Sequence, residues 1–330
     1  MKKILEYLYA HKTFSKEEAQ EILENIALGK YNSNQIASFL TVFIMRNITL
    51  AELIGFREAL LSLCHKVDLS AYNPMDVCGT GGDGKNTFNI STLTSFVVAG
   101  AGVPVAKHGN YGVSSVSGSS NVLESLGVVF TNDHSVIETQ IKEANITFLH
   151  APLFHPAMKT VGPIRKELGI KTFFNMLGPL VNPAQPKVQM SGVFSLELAR
   201  MYHYILQNDK VNYSIIYGLD GFDEITLTDK VKITQNSGER ILEASDFKLP
   251  KVNYEALFGG NTVEEATLIF NKIINGKGAE DQNNVVLVNA GMAIQTYHQH
   301  LDFQEAFDLA KESLFDLKAQ KSVTILKEIR

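Results

Sequence analysis

The stretch that decides the fold is DVCGTGGDGKNTFNIST, residues 76–92. Four glycines, at positions 79, 81, 82 and 84, stand between a short apolar run and a segment with helical character. This order predicts a loop that joins a strand to the start of a helix, where backbone N–H groups gather and the helix dipole favours anions. Because glycine also lets the backbone approach a ligand closely, the stretch predicts a phosphate-binding loop. A glycine-rich surface turn is the alternative interpretation.

Two nucleotide-binding templates fit the letters of this loop but not its surroundings. Gly79-x-Gly81-x-x-Gly84 matches the dinucleotide fingerprint, which needs an acid about 20 residues further on. Residues 84–123 contain no Asp or Glu. A Walker A loop needs Ser or Thr after its lysine to hold magnesium, and Asn86 follows Lys85. Both templates are therefore rejected.

The window without carboxylates is itself informative. It contains Lys107, His108 and the Gly/Ser-rich run 109–120, which follows a second predicted strand. Many hydrogen-bond donors with few competing negative charges suit a ligand that carries several phosphate oxygens. Two such loops, 79–92 and 107–120, favour ligand binding over a chance absence of acids.

The chain changes character after Pro74. Before it, two capping boxes begin at Ser15 and Thr49 and another helix begins near Asn32, so four short helices and no strand are expected. After it, short β-rich runs alternate with helical ones, which predicts a mostly parallel central sheet flanked by helices. Residues 226–258 read as a β-rich excursion. We predict an α/β protein with a small all-helical domain, 1–72, and a larger α/β domain, 73–330.

Bulk composition excludes several classes of protein. The 330 residues are 45% hydrophobic and 20% charged with a net charge of −5, which argues against disorder, general nucleic-acid binding and anionic-membrane binding. Two cysteines provide neither a disulfide framework nor a tetrahedral zinc site. The N-terminal segment does not read as a signal peptide, and no apolar stretch is long enough to span a bilayer. A cytoplasmic protein is expected.

Several longer motifs occur in a fixed order between about residues 76 and 225. They read GTGGD, NIST, KHGN, FHPAMK, GPIRKELGIKTFFNMLGPLVNPA and DGFDE, and together they resemble the anthranilate phosphoribosyltransferase family. The resemblance implies an enzyme that moves phosphoribose from phosphoribosyl pyrophosphate onto the amine of anthranilate during tryptophan biosynthesis. It also implies a homodimer formed through the helical domain, which helices near 160–190 would join. Association with anthranilate synthase is left open.

The resemblance also implies roles for individual residues. Lys107 and Arg165 are the catalytic candidates. Anthranilate would contact Gly79, Asn110 and Arg165, and two Mg²⁺ ions would be held by Ser91, Asp223 and Glu224. The phosphoribosyl pyrophosphate site would comprise Gly79, Gly82, Asp83, Thr87, Asn89, Ile90, Ser91, Thr92, Lys107, His108, Gly109, Asn110, Tyr111, Gly112, Val113, Ser114, Ser115 and Ser119.

The chemistry of this reaction suits those residue types. Loss of pyrophosphate leaves negative charge on the leaving group, and adjacent carboxylates at Asp223 and Glu224 are hard oxygen ligands for the magnesium that would offset it. A guanidinium at Arg165 binds a planar carboxylate at two points. Taken alone, DGFDE is more typical of a solvated turn, and Arg165 is more typical of a solvated charge on a helix. A general base such as His108 or His155 is not expected, because the acceptor nitrogen is already nucleophilic.

Two positions depart from the family pattern. Tyr111 follows KHGN where arginine is common, and Asn121 stands where an acid is usual. Both departures remove charge near the expected phosphate site.

Two other functions are alternatives. A pyrimidine nucleoside phosphorylase would use inorganic phosphate and a nucleobase. A protein of a different class, a non-catalytic regulator that binds a phosphorylated metabolite, would use the same scaffold without turnover.

Overall fold

A computed structural model of the chain describes residues 1–112 and 116–330. Val113, Ser114 and Ser115 of the predicted phosphoribosyl loop lie outside the described residues. The chain divides into a helical unit, residues 1–67 with 151–183, and a sheet unit, residues 68–150 with 184–330.

Four helices come first, the first five strands then alternate with helices as the sequence predicts, and four helices end the chain. The helices are α1 (Lys2–Tyr9), α2 (Lys16–Ala27), α3 (Ser33–Met45), α4 (Leu50–Leu63), α5 (Ile90–Gly100), α6 (Ser119–Ser125), α7 (His134–Ala144), α8 (Ala151–Phe154), α9 (Ala157–Leu168), α10 (Leu196–Asn208), α11 (Val263–Ile274), α12 (Glu280–Tyr297), α13 (Phe303–Phe315) and α14 (Lys318–Glu328). The strands are β1 (Met75–Gly79), β2 (Val105–Gly109), β3 (Ile146–His150), β4 (Val188–Gly192), β5 (Asn212–Gly218), β6 (Val231–Gln235) and β7 (Gly238–Leu242).

The helical unit begins as its capping residues predict. Ser15 and Thr49 each accept a hydrogen bond from the backbone N–H three residues later and form capping boxes, and Asn32 does the same at the start of α3. Such reciprocal bonds satisfy N–H groups that have no partner inside the helix. Residues 1–67 form α1 to α4 without a strand, as expected.

Aromatic side chains fill the core of the helical unit. The ring of Phe173, 2% exposed, stacks on that of Phe56 with centroids 4.4 Å apart, and Phe39 and Phe43 pack against both rings edge-on. Offset and edge-to-face contacts are the favoured aromatic arrangements. The segment 151–183 therefore contributes to the same core as α3 and α4.

The sheet unit contains one seven-stranded sheet in the order β3-β2-β1-β4-β5-β6-β7. The first five strands in this order are parallel, and β6 and β7 add an antiparallel hairpin at one edge. This confirms the mostly parallel sheet. The excursion predicted at 226–258 contains the hairpin, but its second half holds two short 3-10 helices, Ala244–Phe247 and Tyr254–Leu257. The parallel strands are almost wholly buried, as expected when helices cover both faces.

The strand order reverses between β1 and β4. The chain first proceeds from β1 to β2 and β3 on one side, and then continues with β4 and β5 on the other. Ligands bind in open α/β sheets at such a switch point, beyond the carboxyl ends of the strands. The glycine-rich loop follows β1, and the DGFDE segment follows β5, so both begin at this edge. Among the described residues, no helix combines the length and apolar character needed to cross a membrane.

Candidate functional site

The glycine-rich loop uses backbone conformations that favour glycine. Gly81, Gly82 and Gly84 have φ values of 58°, 76° and 77°. L-residues with a side chain rarely adopt such values. Thr80 N–H donates to the carbonyl of Gly192 at 2.9 Å, which attaches the loop after β1 to the end of β4. The sequence therefore places glycine where this turn requires it.

Three carboxylates gather beside the loop. Oxygens of Asp83, Asp223 and Glu224 lie within 4.8 Å of one another. Gly81 N–H donates to Oδ2 of Asp223 at 2.8 Å, and a Cβ atom added at Gly79 would overlap the same oxygen. The 79–85 loop and the 220–224 turn are therefore in direct contact.

The electrostatics of this cluster favour a cation. Burial raises the pKa of Asp223. Burial raises the pKa of Glu224 well above its usual value, and the nearby Asp223 and Asp83 carboxylates raise it further. Oε2 of Glu224 is buried and has no hydrogen-bond partner among the described residues. Because buried acids that repel one another need a compensating charge, this donor set fits a hard divalent cation.

The second half of the loop is anchored to residues 257–260. Phe88 N–H donates to the Leu257 carbonyl at 2.9 Å, and Gly259 N–H donates to the Asn86 carbonyl at 2.8 Å. The Asn86 side-chain amide donates to the Gly260 carbonyl at 2.7 Å. These bonds hold residues 86–88 in an extended segment that leads directly into α5.

The predicted binding residues at the start of α5 differ in whether their side chains can reach a ligand. Asn89, its N-cap, donates from Nδ2 to the Ser117 carbonyl at 3.0 Å, which joins the two predicted phosphate loops. Ser91 is partly exposed. Ile90 and Thr92 are each 1% exposed, so their side chains belong to the core, and only their backbone groups remain to meet a ligand.

A buried acid that the sequence analysis missed connects β1 and β2. Asp76 is 0% exposed and accepts hydrogen bonds from His108 N–H at 3.1 Å and from the Cys78 thiol at 3.3 Å. Lys107, 2% exposed, donates from Nζ to the Val77 carbonyl at 2.5 Å. Burial lowers the pKa of Lys107, and the nearby carboxyl groups of Asp76, Glu224 and Asp223 oppose this shift. The Lys107 ammonium thus lies under the loop rather than in solvent.

Asn121 joins Gly112 and Gly118, the two backbone positions at which the second loop narrows to a neck. Its Oδ1 accepts hydrogen bonds from Gly112 N–H at 2.9 Å and from Gly118 N–H at 3.0 Å. A Cβ atom at Gly118 would overlap the Gly112 nitrogen, so the two backbone segments of the neck are in direct contact. Asn121, which departs from the family pattern, therefore has a structural role: its uncharged amide oxygen accepts both hydrogen bonds of the neck.

The base of the second loop is fixed on both sides. The Asn110 carbonyl accepts from Ser120 N–H at 3.1 Å and from Ser119 Oγ at 3.3 Å. The ring of Tyr111, the other departure, meets His150 edge-on with centroids 5.0 Å apart. A Cβ atom at Gly109 would overlap Ser119 and Phe148.

Arg165 lies in the helical unit, in the last turn of α9. One guanidinium nitrogen donates to Oδ1 of Asn175 at 3.1 Å, and the group lies 5.2 Å from the centre of the Phe174 ring. Nε is buried and has no partner among the described residues. Burial lowers the pKa of Arg165 to about 10. A buried guanidinium with a donor to spare is suited to a carboxylate ligand.

His155, in the same unit, is a core residue. It is 2% exposed, and burial lowers its pKa to about 4 even though backbone groups of Val181 and Leu60 favour the charged ring. Its environment holds the ring neutral and away from solvent.

Comparison with known proteins agrees with this architecture. A family model described as "Glycosyl transferase family, a/b domain" matches residues 71–320, and one described as "Glycosyl transferase family, helical bundle domain" matches residues 2–64. The chain is similar along 98% of its length to the crystal structure of anthranilate phosphoribosyltransferase from Thermus thermophilus, with a TM-score of 0.88, 30% identity and 98% of that chain covered.

Two further relatives carry the same name. Anthranilate phosphoribosyltransferase of Flavobacterium johnsoniae is 59% identical over 100% of this chain and 99% of its own length. The enzyme from Saccharomyces cerevisiae, solved in complex with PRPP and Mg, has a TM-score of 0.87 and 28% identity over 95% of this chain and 93% of its own. The chain belongs to the anthranilate phosphoribosyltransferase family.

Proposed function

We infer that the chain transfers the phosphoribosyl group of 5-phosphoribosyl 1-pyrophosphate (PRPP) to the amine of anthranilate. The products are N-(5-phosphoribosyl)anthranilate and pyrophosphate, a step of tryptophan biosynthesis. The observation that carries this function is the contact between the glycine-rich loop and the Asp83, Asp223 and Glu224 carboxylates at the switch point of the sheet. It combines backbone donors for phosphate oxygens with ligands for the cation that a pyrophosphate leaving group needs.

Magnesium is the cation that this donor set favours. Asp223 and Glu224, with Asp83 within 4.8 Å and the Ser91 hydroxyl at the start of α5, are its proposed ligands. We propose two ions, because the carboxylates together with a diphosphate would offer enough oxygen ligands for a pair. Magnesium held there would supply positive charge to offset the charge of the departing pyrophosphate.

The protein's own groups stabilise the same charge. Backbone N–H groups of the glycine-rich loop and the N-terminus of α5 meet the phosphates, with Asn89 and Ser91 as side-chain donors. Lys107 acts from below the loop, where its buried ammonium adds a fixed positive charge. Fixed groups of this kind need no reorganisation as the bond to C1 breaks.

The second loop is proposed to hold the phosphoribose. The segment from Lys107 to Gly112 and the residues after the neck, including Ser119, provide backbone and hydroxyl donors. The sequence of residues 84–123 contains no Asp or Glu that would repel phosphate. Gly109 and Gly118 allow the close packing that fixes this loop. Tyr111 and Asn121 provide its base and neck without adding charge.

Arg165 is proposed to bind the anthranilate carboxylate. Asn175 and the Phe174 ring hold its guanidinium, and its free Nε remains available for a second bond to a carboxylate. Gly79 and Asn110 are further candidates for contact with anthranilate. His155 is not proposed as a general base because it is buried among backbone groups. The anthranilate amine attacks as the neutral nucleophile.

We also propose a homodimer formed through the helical unit. Tyr9 on α1 and Ile44 and Met45 on α3 are 59%, 44% and 84% exposed. Large apolar side chains of this exposure on adjoining helices are typical of a surface covered by a second copy. A cytoplasmic location fits the two cysteines, which are free thiols.

Anthranilate fluorescence tests the proposed reaction. It should fall only when PRPP and Mg²⁺ are both present, and pyrophosphate should appear in equal amount. Phosphorolysis of uridine or thymidine without loss of anthranilate would instead establish the nucleoside phosphorylase. Binding of PRPP without any turnover would establish the non-catalytic regulator.

A further inference from the structure

Lys85, the lysine of the glycine-rich loop, has no role in the proposed reaction. Its ammonium lies 4.9 Å from the centre of the Phe222 ring and 5.4 Å from that of Tyr254. No ion pair joins it to a carboxylate among the described residues. Because a cation over the face of an aromatic ring is attracted by the ring quadrupole, two rings form a holder for this charge.

The two rings belong to different segments. Phe222 is 1% exposed and directly precedes Asp223 and Glu224 in the 220–224 turn. Tyr254 is 53% exposed and begins the short 3-10 helix that runs to Leu257. The side chain of Lys85 therefore connects the glycine-rich loop to the turn that carries the proposed metal ligands and to the segment that anchors residues 86–88.

The tip of the glycine-rich loop, residues 82–85, lies between the two anchored ends of that loop. The start of the loop is tied to Asp223 through Gly81, and its end is tied to residues 257–260. Between these two anchors, Lys85 N–H donates to Asp83 Oδ1 at 2.9 Å, within the loop. Gly81, Gly82 and Gly84 give this part of the backbone wide conformational freedom, which makes ordering it costly.

We propose that Lys85 is a positioning residue that fastens the tip of the glycine-rich loop to the 220–224 turn through Phe222 and Tyr254. It holds the backbone N–H groups of residues 81–85 in register with Asp223 and Glu224 before the substrate arrives. This inference rests on the proposed function, since it concerns the same loop. Pre-ordering of a binding loop improves ligand affinity because less conformational entropy is lost on binding.

Two pairs of variants test this role. Lys85→Met keeps the apolar stem and removes the charge, whereas Lys85→Arg keeps a cation over the rings. Tyr254→Leu removes the exposed ring, whereas Tyr254→Phe keeps it. Lys85→Met and Tyr254→Leu should each raise the KM for PRPP about five-fold and leave kcat within about two-fold. Lys85→Arg and Tyr254→Phe should remain close to the wild type.

The double variant separates positioning from direct contact with substrate. If Lys85 acts through Tyr254, the double variant Lys85→Met with Tyr254→Leu should have a KM for PRPP no higher than that of the single variant with the higher KM. Multiplied effects, failure of Lys85→Arg to restore the wild-type KM, or an unchanged KM in Lys85→Met would each overturn the proposal.

Amide hydrogen exchange in the free enzyme gives a second readout that needs no turnover. Exchange at residues 81–85 should be faster in Lys85→Met and Tyr254→Leu than in the wild type and in Tyr254→Phe. Equal exchange in all four proteins would overturn the proposal. Because wild-type turnover tests the proposed function separately, the two failures are distinguishable.

Discussion

Gly81 donates its backbone N–H to Oδ2 of Asp223 across 2.8 Å, although the two residues are 142 positions apart in the chain. This bond joins the loop after β1 to the turn after β5. The loop carries backbone N–H donors of the kind that bind phosphate, and the turn carries a carboxylate of the kind that binds magnesium. The proposed cation site and the proposed phosphate site therefore share this contact.

The proposed metal ligands, Asp223 and Glu224, should reduce the stability of the protein when no cation is bound. Burial and mutual repulsion raise the pKa values of Asp223 and Glu224, so their ionisation at neutral pH costs folding free energy. Asp223→Asn with Glu224→Gln should therefore raise the thermal midpoint of the metal-free protein, by an amount equivalent to about 1–2 kcal/mol. Saturating Mg²⁺ with PRPP should stabilise the wild type and leave the variant unchanged. A lower midpoint for the metal-free variant would contradict this assignment.

Gly79 should tolerate no side chain. A Cβ atom there overlaps the Asp223 carboxylate, so Gly79→Ala should displace a metal ligand and lower kcat/KM by about 100-fold or more. Gly178→Ala is the matched control, because an added Cβ at that position meets no atom within 4 Å. Steady-state kinetics of both variants make the comparison. Wild-type activity in Gly79→Ala would show that activity does not depend on the present position of the Asp223 carboxylate.

Arg165→Ala should act on one substrate only. Loss of a charge-assisted pair costs about 1.5–3 kcal/mol, which corresponds to an increase of about 10-fold to 100-fold in the KM for anthranilate. The KM for PRPP should stay the same. Lys166→Ala, at the exposed neighbouring position, is the control and should change neither constant. Equal losses for both substrates would remove the proposed role of Arg165.

Asn121 should be replaceable by an acid but not by a small apolar residue. Its Oδ1 accepts both hydrogen bonds of the neck, and an aspartate offers the same acceptor. We expect Asn121→Asp to keep the KM for PRPP within about three-fold, and Asn121→Ala to raise it about ten-fold because two N–H groups lose their partner. Initial rates at varied PRPP decide this. Opposite behaviour would mean that charge, not the neck, governs this position.

His155 should make the protein sensitive to mild acid. Its folded pKa of about 4 lies below the ordinary value of 6.5, so between these values the unfolded chain binds a proton that the folded chain does not. The free energy of unfolding should therefore fall as pH drops from 6.5 towards 4, by at most about 1.4 kcal/mol per pH unit from this residue. His155→Gln should flatten that dependence in thermal or denaturant unfolding. Exposed His134→Gln should not, and equal slopes would contradict the buried neutral ring.

Local signals predicted most of the fold. Capping residues at Ser15, Asn32 and Thr49 set helix starts that the structure confirms, since caps depend on neighbours three residues away. The order of strands and the antiparallel direction of β6 and β7 depend on distant pairings and were not predicted. Helix α14 has no such local start signal, because it follows Leu317 in a left-handed conformation and no side chain caps it. Its apolar spacing, Ala319, Val323 and Leu326, was the available signal.

The site was predictable in part for the same reason. The glycine-rich loop and the Asp223–Glu224 pair are contiguous motifs, and the structure brings them together. Asp76 was missed because its contact with His108 depends on the pairing of β1 with β2, which spacing along the chain does not show. The meaning of Asn121 was also hidden, since the sequence shows a lost charge and only the structure shows the neck.

Titration calorimetry with PRPP decides whether Asp223 and Glu224 form the cation site. The wild type should release heat on binding PRPP in the presence of Mg²⁺ and much less in its absence. The variant that combines Asp223→Asn with Glu224→Gln should show no such difference. If that variant bound PRPP with the same Mg²⁺ dependence and the same Kd as the wild type, the carboxylates would not be the cation site, and the account would be wrong.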